Sequence, residues 1–383
     1  MQACVVHSTD IDSQDAATEI ISGVQRDLGT SAPRAALLFA GIDHDFATVL
    51  GRINEAWPGI ELIGCTTDGE LSSKQGFAED SLAMVVLTGE DFHVASGVAR
   101  SVGGDPSNVI RESIVTAKNR LGSAASFCIA TPVSLTVSET AVLGALRDAL
   151  GNSVPVFGGT AGDQWRFKGS WQFYGSEVLQ DSVPFLLFGG GIAFSFGVET
   201  GWYPMGREGR VTNTEGNILR AINGKPATDF YRELLGNVDI THLGEYPLAV
   251  FEGKETSYYL RASSHTDEAS GVLHFVGDIP EGSRVRISST TRDQIIEATN
   301  NALRRAVAEF PGKKPALVLC FSCAGRKQVL GSRTSEESQV VRNLLGAVPA
   351  VGFYGYGEIA PIEKNGISQF HNETFVALIL GES

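Results

Sequence analysis

Val348-Pro349-Ala350-Val351-Gly352-Phe353-Tyr354-Gly355-Tyr356-Gly357-Glu358-Ile359 is an apolar run that breaks into glycines and resumes. Before it come the apolar residues 316–321 and a helical pattern carrying Val340, Val341, Leu344 and Leu345. The same plan occurs twice earlier. Residues 35–40, a helical pattern (Phe46, Val49, Leu50, Ile53, Trp57) and residues 60–63 lead to Gly64-Cys65-Thr66-Thr67-Asp68-Gly69-Glu70. Residues 126–130, a helical pattern (Val142, Leu143, Leu146, Leu150) and residues 154–157 lead to Gly158-Gly159-Thr160-Ala161-Gly162-Asp163. A further apolar run follows each unit, at 81–87, 182–188 and 370–380. Short apolar runs around 3.6-period segments predict strand–helix–strand units, and their recurrence marks an internal repeat. The expected fold class is α/β, with repeated βαβ-like units forming mixed sheets covered by helices.

Glycine tolerates positive φ and lets a ligand or a second strand approach the backbone. The glycine turns are therefore the first candidate ligand contacts, through Gly64, Cys65, Gly158, Gly159, Tyr354 and Glu358. Tight turning without a ligand is the alternative.

Between the second and third units the pattern changes. Residues 216–236 hold two short helical patterns, Ile218/Leu219/Ile222 and Phe230/Tyr231/Leu234/Leu235, split by Asn223-Gly224-Lys225-Pro226. Residues 246–286 alternate apolar and polar, which predicts antiparallel strands, and a helix is expected over 293–310. The chain of 383 residues suits two domains, divided at 1–205 and 206–383.

The formal net charge is −14 with no Lys/Arg block, which argues against nucleic acid or an anionic membrane as partner. The N-terminus lacks a basic region and a signal-peptide run, and the longest apolar stretch, 183–198, is broken by Pro184 and Gly189-Gly190-Gly191. A cytoplasmic location is expected. Five cysteines, an odd and sparse set, predict reduced thiols.

The six segments 64–70, 157–163, 224–227, 322–326, 352–358 and 370–374, in this order, resemble FIST-domain proteins, with a FIST N part followed by a FIST C part. The resemblance covers nearly the whole chain. It implies a sensor that binds a small ligand such as an amino acid and reports to a signalling partner. Members of this length are similar to haem-binding nitric-oxide sensors that modulate a histidine kinase and affect cyclic-di-GMP signalling and biofilm behaviour. What it implies about cofactor is haem; nothing in composition or spacing points to haem.

If haem is bound, His371 is the expected iron ligand, because in a continuous alternating strand Phe375, Ala377 and Ile379 would share its face as an apolar wall. A hydrogen-bonded core histidine is the alternative, and His7, His44, His93, His242, His265 and His274 have no better context. Cys320 and Cys323 have CxxC spacing, but three residues apart on a strand they face opposite sides, and no second CxxC completes a zinc set. Structural cysteines are the expected reading, although Cys323 sits at the strand end beside Arg326, where that cation could lower its pKa, and a thiolate iron ligand at Cys323 or Cys65 is a lesser alternative. Arg326 and Glu358 could grip a zwitterion; equally, Arg326 could pair internally with Glu358 or Glu336. Glu70 and Glu358 occupy equivalent places, with Asp163 ending the second turn. Phe353, Tyr354 and Tyr356 give the third turn an aromatic lining.

No phosphate loop, HExxH or GxSxG elbow is present, so no enzyme is expected. The enzyme alternative is a hydrolase or transferase using Asp163, Glu358 and Cys323. A third possibility is an interaction module with an empty pocket. An acid–base-rich cleft would favour the enzyme, and an apolar pocket with few titratable groups the sensor.

Overall fold

Gln2–Ser8, Ser13–Leu28, Ala35–Ala40, Phe46–Ala56 and Glu61–Thr66 run strand, helix, strand, helix, strand. A short hairpin, Glu70–Ser72 with Gly76–Ala78, and a closing strand, Leu82–Thr88, complete the first unit. The computed structural model describes residues 1–236, 240–251 and 257–383, the side chains of 240–242 excepted. Phe92–Gly190 repeats this order, and Ile192–Glu382 repeats it again around a large insertion. Each repeat thus begins a strand and a helix earlier than the apolar runs suggest, because those first strands are edges and carry a weaker pattern.

Each unit builds a six-stranded sheet of one order: first strand, closing strand, two parallel strands, then a hairpin taken from another unit. The hairpin of the first unit completes the third sheet, where Glu70 lies opposite Phe353. The hairpin of the second completes the first, with Gln172 opposite Cys65. The hairpin of the third completes the second, with Glu358 opposite Gly159. The exchange is cyclic, so no unit is whole without its neighbours.

The inner faces of the three sheets meet in one core, with Leu37, Phe39 and Ile63 against Phe127, Ile129, Phe157, Leu319, Phe321 and Phe353. Helices cover each outer face, for example Ile20, Leu50 and Ile53 over the first sheet, Ile114, Leu143 and Leu146 over the second, and Leu303 and Val341 over the third. Burial on both faces explains why the parallel strands read as unbroken apolar runs. The α/β class and the helix-covered mixed sheets stand as expected.

Three glycines fix the parallel pairs. Gly64, Gly158 and Gly352 lie opposite Leu38, Ala130 and Cys320, and a Cβ at any of them would stand 1.9 Å from the carbonyl oxygen of that partner. These glycines serve the approach of one strand to another.

The insertion lies between Ile192–Glu199 and Arg292–Ala308 and forms a fourth, antiparallel sheet with one packed helix, Ala227–Leu235. The strands expected over 246–286 are present, and the helix expected at 293–310 spans Arg292–Ala308. Ile218–Ile222, expected as helix, is a strand. A bulge skips Arg220 in its pairing with Tyr203–Glu215, so Leu219 and Ile222 both reach the core despite helical spacing. The 205/206 boundary falls inside Tyr203–Glu215, after the first strand of the third unit. Among the described residues no helix is long and apolar enough to cross a membrane.

Candidate functional site

The three glycine turns do converge, and they close on one another. The Asp68 N–H donates to the Tyr354 carbonyl (2.8 Å), the Tyr354 N–H to that of Gly69 (2.9 Å), the Gly162 N–H to that of Thr66 (2.8 Å), and the Thr160 N–H to that of Gly357 (2.9 Å). The N–H groups that would greet a ligand are thereby used. Gly159 packs under the Phe353 ring, and Cys65 is sealed in the core.

Behind the turns, each exchanged hairpin carries one polar side chain bonded toward the residue that opens or precedes a closing strand. Glu70 accepts the Ser81 and Thr67 hydroxyls. Glu358 accepts the Thr374 hydroxyl at 2.7 Å and its N–H at 3.1 Å, and Gln172 accepts the Ser182 N–H at 3.3 Å. The second-unit counterpart of Glu70 and Glu358 is therefore Gln172, not Asp163, because an extra loop separates the turn from the hairpin. Burial pushes Glu70 up to about 7 and Glu358 well above the carboxylate range. His7, without context in the sequence, extends the first knot: its ring sits 2.8 Å from the Ser72 hydroxyl and 2.9 Å from that of Ser81.

The Arg326 guanidinium is bonded within the protein. It is fully buried and pairs with Glu337 at 2.6 Å, not with Glu358 or Glu336. It also donates to the carbonyls of Thr200 and Ile295 and to the Thr299 hydroxyl. Glu336 pairs with Arg333 on the outside. Glu337 further accepts the Tyr354 hydroxyl at 2.6 Å and that of Ser322 at 3.2 Å. Glu337 carried no motif. Its only trace was its place on the inner side of an amphipathic helix, among Val341 and Leu345.

His371 ends the edge strand Ser368–His371 of the second sheet, whereas Phe375, Ala377 and Ile379 belong to Phe375–Glu382 in the third. The expected shared face is corrected: residues 372–374 carry the chain from one sheet to the other. The His371 Nε2 lies 2.9 Å from the Ala360 carbonyl and so donates to it, and burial lowers the ring to about 4. A buried, already bonded imidazole of this kind does not fit a haem ligand.

Arg326 does not lower the Cys323 thiol: burial, then Glu358 and Glu373, push it well above the ordinary value. All five cysteines are free and buried. Asp163 accepts the Tyr356 hydroxyl at 2.5 Å and the N–H groups of Phe167, Lys168 and Gly169. Burial raises its carboxyl, but these bonds outweigh it and hold the group below the usual range. Asp163, Glu358 and Cys323 thus lack an activated nucleophile. The His242 side chain lies outside the described residues.

Open space lies at the seams between sheets. A cleft of about 610 Å³ separates the edge strand Ile192–Glu199 of the third sheet from the hairpin turn 362–367 of the second. Its floor is Ile192, Phe194, Phe196, Pro155 and Pro311, and its rim carries Ser126, Asn152, Ser153, Glu309 and Lys364. Phe194 lies 4.8 Å from Phe127 and 5.8 Å from Phe157 between ring centres, so the floor is continuous with the core. Of the two charged side chains in the rim, Glu309 is paired with Arg305. A second seam holds a charged cleft of about 710 Å³ beside His7, Asp15, Glu19 and Lys74. At the third seam Arg100 reaches across to Glu177 at 2.7 Å and over the Tyr174 ring. None of the site residues expected from sequence lines the first cleft, because it is built from edge strands and turns distant in sequence.

Matches to family models place this architecture among sensory, ligand-binding domains of signalling proteins. The chain belongs to the FIST family: residues 34–225 match the FIST N domain and 227–361 the FIST C domain. It is 26% identical over 361 residues to an uncharacterised protein of Methanocaldococcus jannaschii, covering 83% of this chain and 67% of that one. It is 24% identical over 380 residues to one of Mycobacterium tuberculosis, covering 93% and 94%. Among solved structures, the cyanuric acid hydrolase of A. caulinodans aligns over 100% of this chain and 99% of its own with 9% identity and a TM-score of 0.39, too low to bear on activity.

Proposed function

We propose that this chain is a small-ligand sensor whose ligand enters the 610 Å³ cleft between the second and third sheets and whose bound state is read by a signalling partner such as a histidine kinase. The observation that supports this is the cleft itself: its size suits a small molecule, its floor is aromatic and aliphatic, and its rim offers a few polar groups for orientation. With few titratable groups, it suits binding better than acid–base chemistry. The ligand class it favours is a compact, largely apolar molecule with one polar end. Among the described residues no His, Cys, Met or Tyr lines the cleft, and His371 is engaged elsewhere. The residues present therefore do not fit haem, and the ligand class proposed for this cleft is a non-haem small molecule.

The test is a thermal-shift screen of small amphipathic compounds on the tag-free protein and on Ser153→Trp, which places bulk at the exposed rim. A ligand selective for the folded state raises the midpoint. The expected result is a compound that stabilises the native protein and not the variant. Equal stabilisation of both, or a Soret band in protein purified with haem supplied, would overturn the proposal.

A further inference from the structure

The inserted sheet carries an arrangement that ligand sensing does not use. In the hairpin of Ser263–Asp267 with Val272–Phe275, His265 lies directly opposite His274. Directly opposed residues of an antiparallel pair project from the same face. The two imidazole rings lie 5.5 Å apart between centroids and are tilted by 50°. His265 is exposed and His274 half-buried, and among the described residues neither ring has a hydrogen-bond partner.

We propose that His265 and His274 together bind a late first-row divalent metal ion of the zinc class. The distance carries the argument. A zinc–nitrogen bond of about 2.0–2.1 Å places each ring centre about 3.2 Å from the ion, so two imidazoles at a tetrahedral angle have centroids about 5.2 Å apart. The rings stand within a few tenths of an ångström of that value before any ion is added. Imidazole ligands select zinc, copper or nickel over magnesium or calcium, which prefer oxygen. Among the described residues no group of three His, Cys, Asp or Glu stands ready for a metal, so the described residues supply two ligands and water or an incoming group the rest.

A metal here ties two strands at a point where the pairing is irregular: the register shifts between Ser263 and His265. The ion takes up the role of a missing ladder contact, and its binding energy adds to the folding of the insertion. This site is independent of the proposed ligand cleft.

The experiment is Zn²⁺ titration of the full tag-free chain by calorimetry, with His265→Gln and His274→Gln in parallel. Native protein is expected to bind one ion and to gain thermal stability, and each variant to lose at least tenfold in affinity. Imidazole resonances of the unsubstituted protein give a second reading: those of His265 and His274 shift together on zinc addition, while that of buried His371 stays. No zinc uptake by the native chain, undiminished uptake by either variant, or a shift at other histidines only would overturn the assignment.

Discussion

The Arg326 guanidinium and the Glu337 carboxylate meet at 2.6 Å with neither side chain exposed to solvent. Glu337 also takes the hydroxyls of Thr299, Ser322 and Tyr354. One ion pair thereby ties three helices, Arg292–Ala308, Ala324–Leu330 and Thr334–Leu345, to the parallel strands of the third unit.

Removing one partner leaves the other as an uncompensated buried charge, which costs about 3–5 kcal/mol. Arg326→Ala and Glu337→Ala are each expected to lose that much stability in urea denaturation. A variant with apolar residues of similar volume at both positions is expected to recover much of the loss. If either single variant costs less than about 1 kcal/mol, the pair is not the tie described here.

Stability is expected to fall as pH rises from about 6.5 to about 8. Burial holds Asp68 at about 8, Glu70 at about 7 and Glu373 at about 8, against an ordinary carboxylate value near 4 when unfolded. In that window the folded chain binds more protons than the unfolded chain, so unfolding becomes easier with pH. Below about 6.5, His7 and His371, both lowered to about 4 by burial, bind protons in the unfolded chain first and oppose the trend. Asp68→Asn is expected to reduce the alkaline slope by about 1.4 kcal/mol per pH unit. Melting curves from pH 6.5 to 8.5 check this, and a stability flat or rising over that range contradicts it.

Gly64→Ala and Gly352→Ala are expected to abolish soluble expression or to cost several kcal/mol, because the added Cβ meets a backbone carbonyl that cannot move aside. Gly104→Ala, at a glycine with open space around it, is the matched control and is expected to be near neutral.

Thiol reagents are expected to find no reactive cysteine in the native protein. Cys4 is raised to about 11 and Cys65, Cys128, Cys320 and Cys323 are held higher still by burial. All five should react after denaturation. Rapid labelling of Cys323 in native protein would restore the thiolate hypothesis.

The repeat was readable because strands buried on both faces are continuously apolar, and no other element of the chain gives that signal so cleanly. The glycine positions were readable too, although their purpose was not: sequence shows that Gly64, Gly158 and Gly352 recur, while only the folded chain shows a carbonyl where a ligand was expected. The exchange of hairpins left no trace, since Glu70 pairs with Phe353 across almost the length of the chain. The same exchange hid the true neighbours of His371, whereas Glu337, the partner of Arg326, lies only eleven residues away and was missed because it carried no motif. The cleft escaped because the alternating floor residues Ile192, Phe194 and Phe196 of one edge strand meet turns and loops drawn from distant parts of the chain, which no local pattern connects.

The circular loan of hairpins has a consequence for how the molecule comes apart. Each unit both gives a hairpin to one neighbour and receives one from the other, so withdrawing any single unit strips an edge from a second sheet and orphans a hairpin from a third. Expressed halves cut near residue 226, between the two matched family regions, should therefore be insoluble alone yet reassociate when made together. The intact chain should melt in one calorimetric peak, with the three units acting as a single cooperative body.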